Sequence, residues 1–336
     1  MQKRIALWDN LKLFLIFTVV LGHLTLQYFN SSECYSILTM IIYTFHMPAF
    51  VFVSGLFSKH SINNDKPPVK KAFGFIIIYF FMRILNYIPN VVFGVHSDFE
   101  IFYADDAPWY MMAMALWYII TYAIRKIDTK YILIKSVVLA CFAPYMTGDA
   151  DFLVILRLIT FYPFFYAGYC LEPDYASKKT SGRGARIFSG IFVTAFCLIC
   201  IFVNEKMYWL FPLLTGRRKY SALGAYGDWG VLFKAGYYIV AVLLIFSIIS
   251  LCPRKNFKIS GFGSRTLQIY VFHRPFLYLI KNAGLFYLIR QIGAGWEAVG
   301  VLVCLALTAL LCFGFWGKPL KYLMNPKEKK EYAAAK

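Results

Sequence analysis

The chain has 336 residues, of which 60% are hydrophobic and only 15% charged, and its mean hydropathy is +0.59. So little charge cannot give a domain of this length a polar skin, which excludes a water-soluble globule and points to a bilayer-embedded chain. The net charge of +18 raises nucleic acid as a partner, but the basic residues lie in short loops between apolar spans. That placement speaks for an anionic lipid bilayer and against a nucleic-acid interface.

The N-terminal segment MQKRIALWDNLKLFLIFTVVLGHL is basic and then apolar. It lacks a small-residue cleavage site, so it reads as a retained first membrane helix over 8–29. Further stretches of roughly 17–25 mostly apolar residues follow at 36–57, 72–93, 109–124, 131–147, 152–171, 187–203, 230–251, 262–280 and 298–316,. The expected fold is all-α: a polytopic transmembrane bundle of about ten helices, with residues 1–325 as one transmembrane domain and 326–336 as a short charged cytoplasmic tail.

The loops bear on orientation. With the N-terminus cytoplasmic, the inner segments hold 24 of the 35 Lys and Arg and the outer ones six. This positive-inside asymmetry persists through every turn and places both ends in the cytoplasm. The longest outer loop, about 204–229, is aromatic and basic (WLFPLLTGRRKYSALGAYGDW) and suits a cover over an outer mouth. Most of the eight Cys fall in apolar spans. Cys197 and Cys200 form a C-x-x-C inside one of them with no second pair, so they read as small core residues, and no cluster has metal-ligand spacing,.

Ionisable groups within a span are expensive and face the bundle interior or an aqueous cavity. Here they are Asp9, Lys12, His23, His46, Arg83, Arg157, Lys234, His273 and Arg274. Lys12 and His23 stand about 20° apart around the first helix and about 16 Å apart along it, with Asp9 about 40° from His23. One face thus carries an acid and a base at the inner end and an imidazole higher up, either as an internal path or as interfacial residues plus a hydrogen-bonded histidine. His46 (in FHMPAFVFVSGLF) and His273 (in IYVFHRPFL) fall near the middle of their spans. Pro48 kinks the former, and Ser54-Gly55 permits close backbone approach,.

RIALWDNLKLFLIFTVVLGHL followed by FHMPAFVFVSGLF resembles the membrane acyltransferase-3 family, and WYMMAMALW, RLITFYPFFYAGYCL and IYVFHRPFL resemble its later segments in order. Lys12 and His23 match the family's basic residue and essential His ten residues on, and Asp9 matches the preceding Asp. The family's Arg-x-x-Arg after the second helix is absent, and Lys70 and Lys71 stand in its loop.

The resemblance implies a multi-pass O-acyltransferase of the bacterial cytoplasmic membrane. Its donor substrate would be cytoplasmic acyl-CoA, most simply acetyl-CoA, with no permanently bound cofactor, and its acceptor a hydroxyl of a glycan or glycolipid. His23 would act as general base or acyl relay, with Asp9 and Lys12 on its stripe. Lys12, Lys70, Lys71 and Arg83 would form a basic inner rim for the phosphates of coenzyme A. His46, Ser54, Arg157 and His273 would orient the acceptor or the oxyanion. The rival reading is a proton-coupled secondary transporter or flippase of a glycan precursor, and a third is a non-catalytic partner in polysaccharide assembly.

Overall fold

The computed structural model describes residues 5–96, 99–103, 106–146 and 152–324, so the expected tail lies outside the described residues. Among the described residues the regular structure is helical, apart from one isolated bridge between Tyr103 and Phe152. The long helices are α1 (Ala6–Leu26), α2 (Glu33–Leu56), α3 (Val69–Val92), α4 (Trp109–Ile124), α5 (Thr129–Phe142), α6 (Ile155–Cys170), α7 (Arg183–Val203), α8 (Gly230–Leu251), α9 (Thr266–Asn282) and α10 (Trp296–Leu311). Each falls on one of the ten predicted stretches.

Their lengths depart from expectation. Among the described residues, five stretches are long and apolar enough to cross a membrane on their own: Ala6–Leu26, Glu33–Leu56, Val69–Val92, Arg183–Leu214 and Tyr220–Leu251. The other five helices, α4, α5, α6, α9 and α10, have 14–17 residues. At 1.5 Å per residue that is about 21–26 Å, short of the hydrocarbon thickness.

The end of α10 shows why a run of apolar residues overshoots its helix. Gln268 donates to the carbonyls of Leu311 (2.6 Å) and Phe313 (2.9 Å), and Arg265 donates to that of Cys312. These are carbonyls that continued helix would have used. The chain turns by 68° into α11 (Gly317–Met324).

The outward faces are apolar. In α7 Phe202 is 81% exposed and Ile191 67%, and only 11% of that span's apolar window is buried. In water such a surface would drive aggregation; in lipid it is the proper solvent-facing skin.

α1 and α2 pack against each other at the centre. α6 and α8 lie against α2, α9 and α10 against α1, and α3 runs between α4 and α9. The α2–α6 contact is set by two glycines. A Cβ on Gly55 would lie 1.9 Å from the carbonyl oxygen of Phe165, and one on Gly168 would lie 2.1 Å from that of Phe52. Backbone therefore meets backbone there, as small residues allow in membrane helices. The crossing draws α6, and with it Arg157, against the helix that carries His46.

Gly168→Val is expected to force α6 off α2 and destabilise the protein by about 3 kcal/mol or more. Thermal unfolding of the detergent-solubilised variant checks this, and a melting temperature equal to that of wild type would show that the crossing tolerates a side chain.

Candidate active site

An outer cavity of about 470 Å³ lies under the loop that joins α7 to α8. Each bordering helix contributes residues at helical spacing: Val19 and His23 from α1, Tyr43 and His46 from α2, Arg157 and Phe161 from α6, and Tyr270, Arg274 and Tyr278 from α9. Steps of three or four residues keep one face turned inward while the rest of each helix meets apolar neighbours. Phe211, Thr215, Arg217 and Arg218 of the outer loop close the top, with Arg218 exposed at the rim.

The three mid-span histidines converge. The His23 and His273 rings lie 5.2 Å apart between centroids, tilted by 36°. His46 borders the same cavity as His23, edge-on to Tyr43 at 4.7 Å. The Nδ1 of His46 lies 2.7 Å from the carbonyl oxygen of Ile42, and the Nδ1 of His273 lies 2.7 Å from that of Tyr270 and 3.2 Å from that of Ile269. A carbonyl oxygen only accepts, so in each neutral ring the hydrogen sits on Nδ1 and the lone pair on Nε2. The Nε2 of His273 is buried without a hydrogen-bond partner.

At the outer end Asp106 forms an ion pair with Arg274, 2.6 Å from Oδ1 to Nε. Its Oδ2 accepts from Tyr278 (2.9 Å) and Asn86 (3.2 Å), and the Arg274 guanidinium also donates to the Tyr278 hydroxyl (2.8 Å). Burial pushes the Asp106 carboxyl up, but the Arg274 guanidinium outweighs it and holds the group well below the usual carboxylate range,. This cluster ties the loop before α4 to α9 and fixes the Arg274 head at the cavity wall. Arg157, 6% exposed, has its guanidinium 5.3 Å from the centre of the Trp109 ring,.

An inner cavity of about 360 Å³ holds a different set of predicted residues: Lys12, Ser54 and Lys71, with Phe57 and Tyr118. The Lys12 ammonium sits 3.9 Å from the centre of the Phe57 ring. That of Lys71 donates to the Ser61 hydroxyl at 2.9 Å and lies 5.2 Å from the Tyr118 ring. The two cavities share no lining residue. Between them stands Tyr110, whose hydroxyl is 2.5 Å from that of Ser54 on the inner side and whose ring packs 5.4 Å from Tyr270 on the outer side. The Lys12–His23 stripe therefore faces inward as expected, but it is divided: Leu15 borders the inner cavity and Val19 the outer one.

Four predicted site residues border neither cavity. His273 is fully buried, its ring against that of His23. Asp9 lies at the inner end of α1, its backbone tight against Gly263, where a Cβ would come within 2.1 Å of the Asp9 carbonyl oxygen. Lys70 is exposed on the first turn of α3. Arg83 does not join a basic inner rim, because fourteen residues of α3 separate it from that end and its guanidinium donates to the backbone carbonyl of Glu100 in the outer loop.

Asp106, Arg274, Tyr110, Tyr270 and the Arg217–Arg218 pair were not foreseen as site residues. Arg274 was visible as a charge in a span. Asp106 was visible only as one acid among several in an outer loop, and its pairing with a residue 168 positions away has no local signature.

The family model of the acyltransferase-3 family, described as an acyltransferase domain, matches residues 5–317. The chain belongs to that family. No curated protein and no solved structure matches it. The match spans every helix that borders either cavity, so this membrane acyltransferase carries both cavities inside its family domain.

In the acyltransferase, Asp106→Asn is expected to leave Arg274 charged and uncompensated in a nearly buried position, at about 3–5 kcal/mol of stability. The double variant with Arg274→Gln should lose markedly less than the sum of the singles. Thermal unfolding of all four forms measures the coupling, and strict additivity would mean that the pair is energetically idle.

Proposed function

We propose that this membrane acyltransferase moves an acyl group, most simply acetyl, from cytoplasmic acyl-CoA to a hydroxyl of a cell-surface or exported glycan, at the bacterial cytoplasmic membrane. The observation that carries the reading is that His23 and His46 border one cavity with guanidinium and aromatic groups, with His273 packed against His23. A neutral imidazole serves either as a general base for a hydroxyl or as a nucleophile that accepts the acyl group. Arginine donors suit both sugar hydroxyls and a developing oxyanion. The faces of Tyr43, Phe161 and Tyr270 offer flat apolar surface to a sugar ring.

The donor fits the opposite side. Lys12 and Lys71 border the inner cavity, on the face where the short loops concentrate lysine and arginine, and compact ammonium groups serve as phosphate ligands,. The adenosine phosphates would rest at that basic rim while the pantetheine arm enters the cavity toward Ser54. For the thioester to meet His23, the Tyr110 and Tyr270 rings must part. Tyr110 rotation would break its hydroxyl contact with Ser54 and loosen its ring contacts with Phe50, Trp109, Trp117 and Tyr270.

Purified protein given acetyl-CoA and surface glycan from cells that lack it should release free CoA and esterify the glycan. His23→Ala should abolish both while still inserting and eluting as wild type. Wild-type ester formation by that variant, or no CoA release by the wild type, would discard the reading. Lys12→Gln combined with Lys71→Gln should raise the KM for acetyl-CoA about tenfold or more with a smaller change in kcat, as expected for lost charged hydrogen bonds to phosphate. An unchanged KM would remove these two lysines from the donor site.

A further inference from the structure

We infer that His46 is the base that takes the proton of the acceptor hydroxyl, which leaves His23 to carry the acyl group; the inference rests on the acyl-transfer reading above. The argument begins with the backbone of α2. The carbonyl of Ile42, one turn before His46, lies 2.7 Å from its Nδ1 and can only accept, so it holds the ring hydrogen on that nitrogen,. A neutral His46 then has its lone pair on Nε2. Two imidazoles in this bundle are held in that tautomer by backbone carbonyls, His46 and His273. Of these, His46 borders the outer cavity, whereas His273 is fully buried behind His23. His46 is therefore the tautomer-locked ring that an acceptor in the cavity can reach.

The edge-on contact with Tyr43, itself packed 5.2 Å from Phe211 of the outer loop, holds the ring plane. Orientation of this kind is what a third group supplies to a catalytic base.

The division of labour balances. The lone pair of His23 attacks the acyl carbonyl carbon of the thioester, the C–S bond breaks, and CoA leaves as the thiolate. The acceptor oxygen then attacks the same carbon. Its proton passes to His46 Nε2, the new C–O bond forms, the C–N bond to His23 breaks, and the electron pair returns to the His23 ring. The proton held by His46 leaves to solvent in the outer cavity, which matches the thiolate released on the inner side.

The two half-reactions separate the roles. Wild type, His23→Ala, His46→Ala and His46→Gln are each purified and checked for monodisperse elution. Each is incubated with radiolabelled acetyl-CoA alone and quenched with hydroxylamine to count acyl-imidazole as acetyl hydroxamate. Deacetylated surface glycan from cells lacking the protein is then added and ester formation is followed.

The expected result is hydroxamate from both His46 variants within about threefold of wild type, with transfer to glycan slowed about a hundredfold or more. His23→Ala should give no hydroxamate. Added imidazole should restore part of the transfer by His46→Ala, where the missing ring leaves room beside the cavity, and none by His46→Gln. Transfer by His46→Ala within threefold of wild type would overturn the assignment. So would loss of hydroxamate from a His46 variant that still elutes as wild type. A wild type that releases no CoA in either step would instead discard the acyl-transfer reading itself.

Discussion

An imidazole, an ammonium or a guanidinium cannot be left in hydrocarbon, and this constraint shapes the molecule from the inside. α1 carries Lys12 and His23 on one face, so that face turns inward and α1 becomes a central helix with neighbours on several sides. α2 must then approach closely enough to bury His46. The glycine crossing at Gly55 and Gly168 brings α6 against α2 with backbone touching backbone. The two cavities lie where these polar faces meet.

The two cavities differ in chemistry. The inner cavity presents ammonium groups and the outer one presents imidazoles and guanidinium groups. Tyr110 and Tyr270 stand between them. Tyr110 reaches Ser54 by its hydroxyl and Tyr270 by its ring, and the Tyr270 hydroxyl donates to the backbone carbonyl of Ala107. Meanwhile the Asp106–Arg274–Tyr278 cluster pins the outer end of α9 to the loop before α4.

The five helices of 14–17 residues contribute to the same end. α4 and α6 begin only at Trp109 and Ile155, close to the residues that border the outer cavity. Their short length lets the loop carrying Phe211, Arg217 and Arg218 settle over the space that a longer helix would fill. Arg157, three positions into α6, sits under that loop because its helix starts where it does.

The sequence by itself determined that the chain is an all-α membrane bundle, roughly where each helix lies, and that His23, His46 and His273 sit at depth. These are local properties: hydrophobic length reports the bilayer, and the 3.6-residue period reports which face of α1 avoids lipid. The motif pattern also carried the family, because the spacing from Lys12 to His23 and FHMPAF belong to contiguous segments. Only the tertiary structure decided that His23 meets His273, that Lys12 and His23 open onto separate cavities, that Arg83 reaches the outer loop, and that Asp106 pairs with Arg274. Those outcomes depend on how helices far apart in the chain cross and rotate against one another. No local period encodes that, since it is set by the mutual packing of whole faces.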